Sequence, residues 1–262
     1  MAKVPRFALS PRWIALLVFA LVVAAVCVRL GIWQLDRLDQ RRTLNAHVRA
    51  GLAAPPATLE ALEGGDPDPE TLAYRRVEVT GSYDTEHEML LYGRALDGRP
   101  GHHVLTPLVV DDGAAILVDR GWVPFEMGTP PVAAAEPPSG EVTVTGFLLP
   151  AGDEDDVVID RDDTGRVLTV RHDVPAALED AMPYELWPLP LQLQGQQPAP
   201  PSALPAIVGP PELDEGPHLS YAVQWFTFAT IALVGYVVLV RREIRDRARA
   251  DAAPRTPGAS AD

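Results

Sequence analysis

Two long apolar runs, one near each end of the chain, limit the possible folds more than any other feature. The first extends from Trp13 to Trp33. At about 1.5 Å per helical residue it measures roughly 30 Å, which is the thickness of one hydrocarbon core. The second extends from Tyr221 to Val240 and is interrupted only by the polar Gln224. The sequence therefore predicts transmembrane helices at residues 13–33 and 218–240.

The first run is expected to stay in the protein as a membrane anchor. A cleavable signal peptide is the alternative, and the basic residues Lys3, Arg6 and Arg12 suit either interpretation. The apolar stretch is long for a signal core, however, and no clear A-x-A cleavage site follows it. Cys27 is the only cysteine, so the chain has no internal disulfide and no cysteine-pair metal site.

Basic residues predict that both chain ends lie in the cytoplasm. Five arginines follow the second run directly, between Arg241 and Arg249, and three basic residues precede the first run. Because basic residues mark the cytoplasmic side of a span, the intervening segment is predicted to lie outside, although three arginines just after the first run oppose this rule locally. The predicted parts are a cytoplasmic N-terminus (1–12), transmembrane helix 1 (13–33), a membrane-proximal helix (34–50), an extracytoplasmic β-rich domain (51–217), transmembrane helix 2 (218–240) and a cytoplasmic basic tail (241–262).

The predicted outer segment is strongly acidic. Residues 43–218 contain 30 acidic and nine basic side chains, which give a net charge of −21. Such a segment repels the phosphates of nucleic acids and of anionic lipid headgroups. Nucleic-acid binding is therefore excluded as a function class, whereas a basic partner is compatible with this charge.

Alternating segments predict that the outer domain is mainly antiparallel β. Val77 and Val79 alternate with polar residues, and the β-rich runs 102–110 and 114–123 are joined by a hairpin signal, Asp111-Asp112-Gly113. Further strands are predicted at 89–94, 141–150, 167–171 and 189–194. We therefore expect an α+β membrane protein in which two transmembrane helices flank a β sandwich or partly open barrel.

No catalytic motif is recognisable in the outer segment, and we expect the protein not to be an enzyme. It has no G-x-S-x-G elbow, glycine-rich phosphate loop or H-E-x-x-H pair. His102 and His103 would point to opposite faces of a strand, so a solvated pair is favoured over a metal site. The acidic stretch from Asp153 to Gly165 does not match a calcium-loop spacing and is interpreted as solvated. Trp122 is expected to close the core at a strand end, with docking on a membrane or partner as the alternative.

A histidine at the start of the second span is the main candidate for a functional residue. If the helix begins near it, His218, Tyr221 and Trp225 share one face. Three residues at the outer end of the first span are predicted to lie at the same depth: Arg29, Trp33 and Arg37. Neutral imidazole is a good axial ligand of haem iron, and arginines suit haem propionates. The residues alone leave two interpretations open, a haem or quinone site and a contact between packed helices.

Four motifs together resemble the surfeit locus protein 1 family, which are assembly factors of haem–copper cytochrome c oxidase. They are GIWQLDRLDQR after the first span, YRRVEVTGSYD, ILVDRGWVP, and HLSYAVQWF at the second span. Each motif is weak alone, but the set in this order is specific, and the resemblance covers most of the chain.

The resemblance implies a protein of the bacterial plasma membrane that helps to build the haem a-containing centre of the oxidase. It implies that His218 binds haem a. Our hypothesis is that binding is transient and that the residues named above from both spans form the pocket. The partners that it implies are oxidase subunit I and haem a synthase, besides the lipid bilayer.

Two other functions are weighed against this one. A membrane scaffold would stabilise unassembled oxidase subunits without a cofactor, and His218 would then be a packing residue. An unrelated extracytoplasmic sensor or hydrolase is disfavoured because the sequence contains no catalytic constellation.

Overall fold

Residues 10–63, 69–111, 113–150, 152 and 158–252 are described by the computed structural model. The chain divides into two units, one formed by the segments up to Asn45 and from Leu213, the other by Ala46–Glu212. Several predictions fall outside the described residues: the basic N-terminus, Asp112 of the hairpin, the centre of the acidic loop and the end of the basic tail.

The first unit contains two long helices that lie antiparallel. Helix α1 extends without a break from Pro11 to Ala53, and helix α4 from His218 to Ala252. Both are long and apolar enough to cross a membrane. Their mutual contacts run in opposite order along the sequence: Trp13 with Tyr236, Cys27 with Ala229, and Gln34 with His218.

Small residues let the two helices approach closely. On α1 the buried positions within the apolar run recur at alternating spacings of four and three residues and are occupied by Ala20, Ala24, Cys27 and Gly31. A Cβ atom on Gly31 would lie 2.7 Å from Cε1 of Phe226 on α4. Small side chains at this spacing are typical of packed membrane helices, where close backbone approach replaces the hydrophobic effect as the driving force.

The segment just before α4 is attached to α1 by polar contacts. Arg42 donates two hydrogen bonds to the carboxylate of Glu215, at 3.0 and 2.9 Å. The amide of Asn45 donates to the carbonyl oxygen of Asp214 at 2.8 Å. Because the Arg42–Glu215 pair is about half exposed and screened by solvent, it contributes little to stability. Its effect is to fix where α4 begins.

The described residues of the second unit form nine strands and two short helices, α2 (Leu59–Glu63) and α3 (Pro69–Leu72). The strands are β1 (Arg76–Tyr83), β2 (Met89–Leu96), β3 (Arg99–Asp111), β4 (Ala114–Pro124), β5 (Glu141–Leu148), β6 (Ile159–Arg161), β7 (Val167–Val170), β8 (Glu185–Leu186) and β9 (Leu191–Gln197). Short 3₁₀ helices at 85–87, 133–135 and 175–181 lie between them.

The sheet closes on itself in the manner of a small barrel. Five strands form the ring in the order β1, β5, β9, β4 and β3, and β3 pairs again with β1. The pairings are mainly antiparallel, but β2 with β7, β4 with β8 and β4 with β9 are parallel. One buried apolar cluster draws on all five ring strands and includes Val77, Leu108, Ile116, Val144 and Leu191. These observations support the barrel form of the predicted domain rather than the sandwich.

A buried ion pair lies beside this core. Arg120 and Glu88 are each 1% exposed at the side chain, and Nη1 of Arg120 lies 3.2 Å from Oε2 of Glu88. Glu88 also accepts from the backbone N–H of Val132 at 2.7 Å, and Arg120 donates to the carbonyl of Ala135 at 2.6 Å. Burial holds the pKa of Glu88 above its usual value despite these donors. The pair attaches the loop before β5 to the sheet.

One expectation about the outer segment requires correction. His102 and His103 are 3% and 8% exposed, so the prediction of a solvated pair is wrong. The described part of the acidic stretch contains strand β6, which pairs with β7, and two of the three residues of this strand are exposed, in keeping with a solvated stretch. The segment 204–217 is attached to the sheet, because Ala206 pairs with Trp122 and the carbonyl of Val208 accepts from two glutamines. Trp122 is buried, as expected for a residue that closes the core.

The two apolar helices also extend beyond their predicted ends. Residues 13–33 and 34–50 are parts of the single helix α1, and α4 continues from residue 240 through the arginines to Ala252. No proline or glycine interrupts the chain between residues 236 and 252, so helix propensity continues past the end of the apolar run.

Candidate functional site

His218 is the first residue of α4 and faces α1. Its ring nitrogen Nδ1 lies 2.8 Å from Oε1 of Gln34. The helix starts here because Pro217 precedes it, and the carbonyl of Pro217 accepts from the backbone N–H of Tyr221 and from the hydroxyl of Ser220. The imidazole is therefore held between the two helices of the first unit.

The hydrogen bond determines which nitrogen of His218 carries the proton. The carbonyl oxygen of Gln34 can only accept, so Nδ1 of His218 must be the donor. In a neutral imidazole the other nitrogen, Nε2, then keeps its lone pair. Metal-binding histidines are typically oriented in this way, with the second ring nitrogen donating to a carbonyl or carboxylate oxygen.

A glycine lies next to this lone pair. Gly216 has a φ of +65°, and a Cβ atom there would lie 3.5 Å from Nε2 and 3.3 Å from Cδ2 of His218. Glycine is favoured at this position for two reasons, the left-handed backbone and the space beside the ring. A larger residue would both strain the turn and crowd the nitrogen that is able to bind a ligand.

Some of the predicted site residues lie close to His218 and others do not. Trp33 and Arg37 flank Gln34 in sequence, are both exposed, and form a cation–π contact of 5.7 Å. Trp225 is partly buried and packs against the Ala24–Cys27–Ala229 cluster between the helices. Tyr221 is exposed, although it lies one turn after His218.

Arg29 faces away from α4. It lies two residues before Gly31, which is about 200° around the helix from that contact position. Its side chain is exposed. Trp33 lies two residues after Gly31 and is turned from it by the same angle, so neither residue lies on the face of α1 that contacts α4. The assignment of the six residues to a cofactor stays a prediction.

Gln34 was not among the predicted site residues. It belongs to the GIWQLDRLDQR motif, but Trp33 and Arg37 of that motif were predicted to belong to the site instead. The spacing of the buried α1 residues was the available signal. Continuing the four-three alternation from Cys27 and Gly31 places Gln34 on the contact face.

Comparison with known proteins gives one family. A family model described as the SURF1 family matches residues 21–230. A SURF1-like protein of Mycobacterium tuberculosis is 33% identical over 261 residues, which covers 96% of this chain and 92% of that protein. A SURF1-like protein of Rickettsia conorii is 27% identical and covers 84% and 89% of the two chains. Surfeit locus protein 1 of the mouse is 31% identical over 146 residues, half of this chain and 46% of its own length.

Proposed function

This chain belongs to the SURF1 family, and from that premise we propose that it is a membrane-anchored assembly factor for cytochrome oxidase that carries haem a to subunit I. The two helices would span the plasma membrane with both termini in the cytoplasm, and the β-rich unit would lie outside. The partners would be oxidase subunit I and haem a synthase. The role is that of a carrier and not of an enzyme.

The observation that carries this proposal is the hydrogen bond between His218 and Gln34. It fixes the tautomer that leaves Nε2 of His218 as a lone-pair donor, next to a glycine without a side chain. Bound haem a would supply an iron that accepts such a nitrogen. His218 and Gly216 therefore fit haem a, because Nε2 of His218 can bind iron and Gly216 places no side chain beside that nitrogen.

The other residues of the site have supporting roles. Trp33 and Tyr221 would cover the apolar faces of the ring, and Arg37 would pair with a propionate. Trp225 would support His218 from within the helix contact. A single protein ligand on an exposed helix start suits a carrier, because its cargo has to leave again.

A scaffold without cofactor is the second candidate, and one observation favours it. The His218–Gln34 hydrogen bond joins two helices, so it also serves as a packing contact. Under this function His218 would hold α1 and α4 together while the protein stabilises unassembled oxidase subunits.

Two measurements separate these functions. Deleting the gene should lower the haem a absorbance of the membranes, and the wild-type gene should restore it. The protein purified from cells that make haem a should show a haem a spectrum. If the deletion strain keeps normal oxidase absorbance and activity, the assembly role is wrong. If the deletion lowers oxidase but the purified protein carries oxidase subunits without haem, the scaffold is supported instead.

A further inference from the structure

A cavity in the second unit has a polar lining that haem transfer does not use. Its volume is about 380 Å³, which is in the range of small-molecule sites. Its floor is a row of side chains on four neighbouring strands: Leu91 of β2 opposite His103 of β3, and Asp119 of β4 opposite Gln192 of β9. Arg94 and Asp173 also line the cavity.

His103 and Asp119 form a buried hydrogen-bonded pair on this floor. Nδ1 of His103 lies 2.7 Å from Oδ2 of Asp119, and Oδ1 of Asp119 accepts from the backbone N–H of Gly121 at 3.0 Å. The carboxylate therefore has a donor on each oxygen, and His103 carries its proton on Nδ1. Nε2 of His103 has no hydrogen bond to the part of the chain that the structure describes. A histidine that is 8% exposed thus directs an unpaired acceptor into the cavity.

The backbone around the cavity departs from regular geometry at three places. The pairing of β2 with β3 shifts between Leu91 and Arg94, and that of β3 with β4 shifts beside Asp119. Tyr74, another lining residue, has a φ of +65°, which is costly for a tyrosine. Bulges and strained residues are concentrated at functional sites, where they orient side chains.

The charges of the lining are unbalanced. Two carboxylates, Asp119 and Asp173, face one guanidinium, that of Arg94. Burial, together with the charge of Asp119, raises the pKa of Asp173 despite its own backbone N–H, Arg94 and His103. The side chains of Asp119, Asp173 and Arg94 carry a net charge of −1 when all three are ionised, so a cation in the cavity would supply the missing counter-charge.

Besides the guanidinium of Arg94, which only donates, three side chains of the lining offer acceptors to a ligand. Nε2 of Gln192 donates to the carbonyl of Val208 at 3.2 Å, and the amide oxygen of Gln192 can accept from a ligand. Nε2 of His103 and the carboxylate of Asp173 are two further acceptors. Within the described residues no group of three side chains is suited to hold a metal ion. A ligand with several donors and one positive charge fits this lining better than a metal.

We propose that this cavity binds a protonated primary amine, with His103, Asp173 and Gln192 accepting its three N–H bonds. An ammonium group has three donors and no acceptor, and its single charge would neutralise the lining. The acidity of residues 43–218, with 30 acidic and nine basic side chains, raises the local concentration of cations near the cavity. The amine is either a free small molecule or the lysine side chain of another protein.

The test uses the full-length protein in detergent and follows the imidazole NMR signals of its histidines. Three probes of matched shape are titrated: n-butylammonium, n-butanol and butyrate. We expect a saturable shift of the His103 signal, assigned with His103→Gln, for n-butylammonium alone. Asp173→Asn should weaken this binding at least about tenfold. Asp163→Asn removes an exposed carboxylate outside the lining and should leave the binding unchanged.

The probe series tests the proposal on the wild-type chain, even if a variant folds poorly. Preference for butyrate, an equal response to butanol, or unchanged amine binding in a folded Asp173→Asn protein would overturn the proposal. A peptide with a blocked N-terminus and one lysine distinguishes the two sources. Tighter binding of this peptide than of n-butylammonium, lost on acetylation of the lysine, assigns the site to a protein side chain. Weaker binding assigns it to a free amine.

Discussion

Nδ1 of His218 donates to Oε1 of Gln34 across 2.8 Å, and this bond joins the first residue of α4 to the middle of α1. The two residues are 184 positions apart in the chain. The bond holds the two helices together and also determines which ring nitrogen of His218 carries the proton. Substitutions of Gln34 therefore change the orientation of the His218 ring without removing His218 as a ligand.

Replacing Gln34 with leucine should weaken haem binding without removing the ligand. Leucine keeps a similar volume but cannot accept from Nδ1, so His218 loses its fixed orientation. We expect about 10- to 100-fold lower affinity in a haem titration. Gln34→Glu retains an acceptor and should bind close to the wild-type level. Gln224→Leu, at an exposed glutamine of α4, is the matched control. Equal affinity of Gln34→Leu and wild type would show that the bond serves packing alone.

A disulfide should form between the helices if residue 229 is changed to cysteine. Cys27 and Ala229 are 7% and 5% exposed and belong to one buried cluster. In Ala229→Cys, oxidation should convert most of the protein to a cross-linked form that migrates differently on a non-reducing gel. Val234→Cys places the thiol at an exposed position of the same helix and should not react with Cys27. Equal cross-linking in both variants would contradict the contact between α1 and α4.

Removing one partner of the buried Arg120–Glu88 pair should destabilise the protein strongly. Arg120→Met leaves the carboxylate of Glu88 buried without its counter-charge, and we expect a loss of about 3–5 kcal/mol in the free energy of unfolding. The double variant Glu88→Leu/Arg120→Met should recover part of this loss. Arg161→Met, at an exposed arginine of the same unit, should change stability by about 0.5 kcal/mol or less. Urea unfolding measures all three.

The stability of the protein should depend on pH in opposite ways through Asp173 and Asp84. Because the folded-state pKa of Asp173 is raised, its contribution is present at low pH and is lost as pH rises from about 4 through the raised value. Burial alone would raise the pKa of Asp84 as well, but hydrogen bonds from His87 and Tyr184 outweigh it and lower the pKa. The contribution of Asp84 is therefore present above about pH 4 and is lost as pH falls through the lowered value.

Urea unfolding over a pH series tests the predicted direction of the stability change for each carboxylate. Relative to wild type, Asp173→Asn should become more stable as pH rises from about 4 through the raised pKa of Asp173. Asp84→Asn should become less stable than wild type as pH rises from the lowered pKa of Asp84 to about 4. The same slope for both variants would contradict the environments described for these two carboxylates.

Local patterns predicted the strands well because they depend on neighbouring residues. Val77 and Val79 are 0% and 4% exposed, while the intervening Glu78 is exposed, as a period of two requires. His102 and His103 do alternate between faces, but both faces are covered by distant segments. His102 stacks on Phe125 at 5.2 Å, and His103 lines a cavity that residues 208–211 also line. The sequence around the two histidines does not reveal which other segments cover them.

The partners of the site residues were harder to predict than the residues themselves. The motif HLSYAVQWF indicated His218, but its contact with Gln34 depends on the register between two helices that are far apart in sequence. The small residues of α1 fix that register through packing. The pairing of His103 with Asp119 depends in the same way on a bulge in the hairpin of β3 and β4.

The absorption spectrum of the His218→Ala protein tests whether His218 is the ligand of the haem iron. Wild type, His218→Ala and the control His87→Ala are purified from cells that make haem a, and haem per protein is measured. His87 lies in the second unit and bonds to Asp84, so its removal should leave the haem content unchanged. We expect His218→Ala to retain about a tenth or less of the wild-type haem a absorbance. A full haem a spectrum in His218→Ala would contradict this assignment.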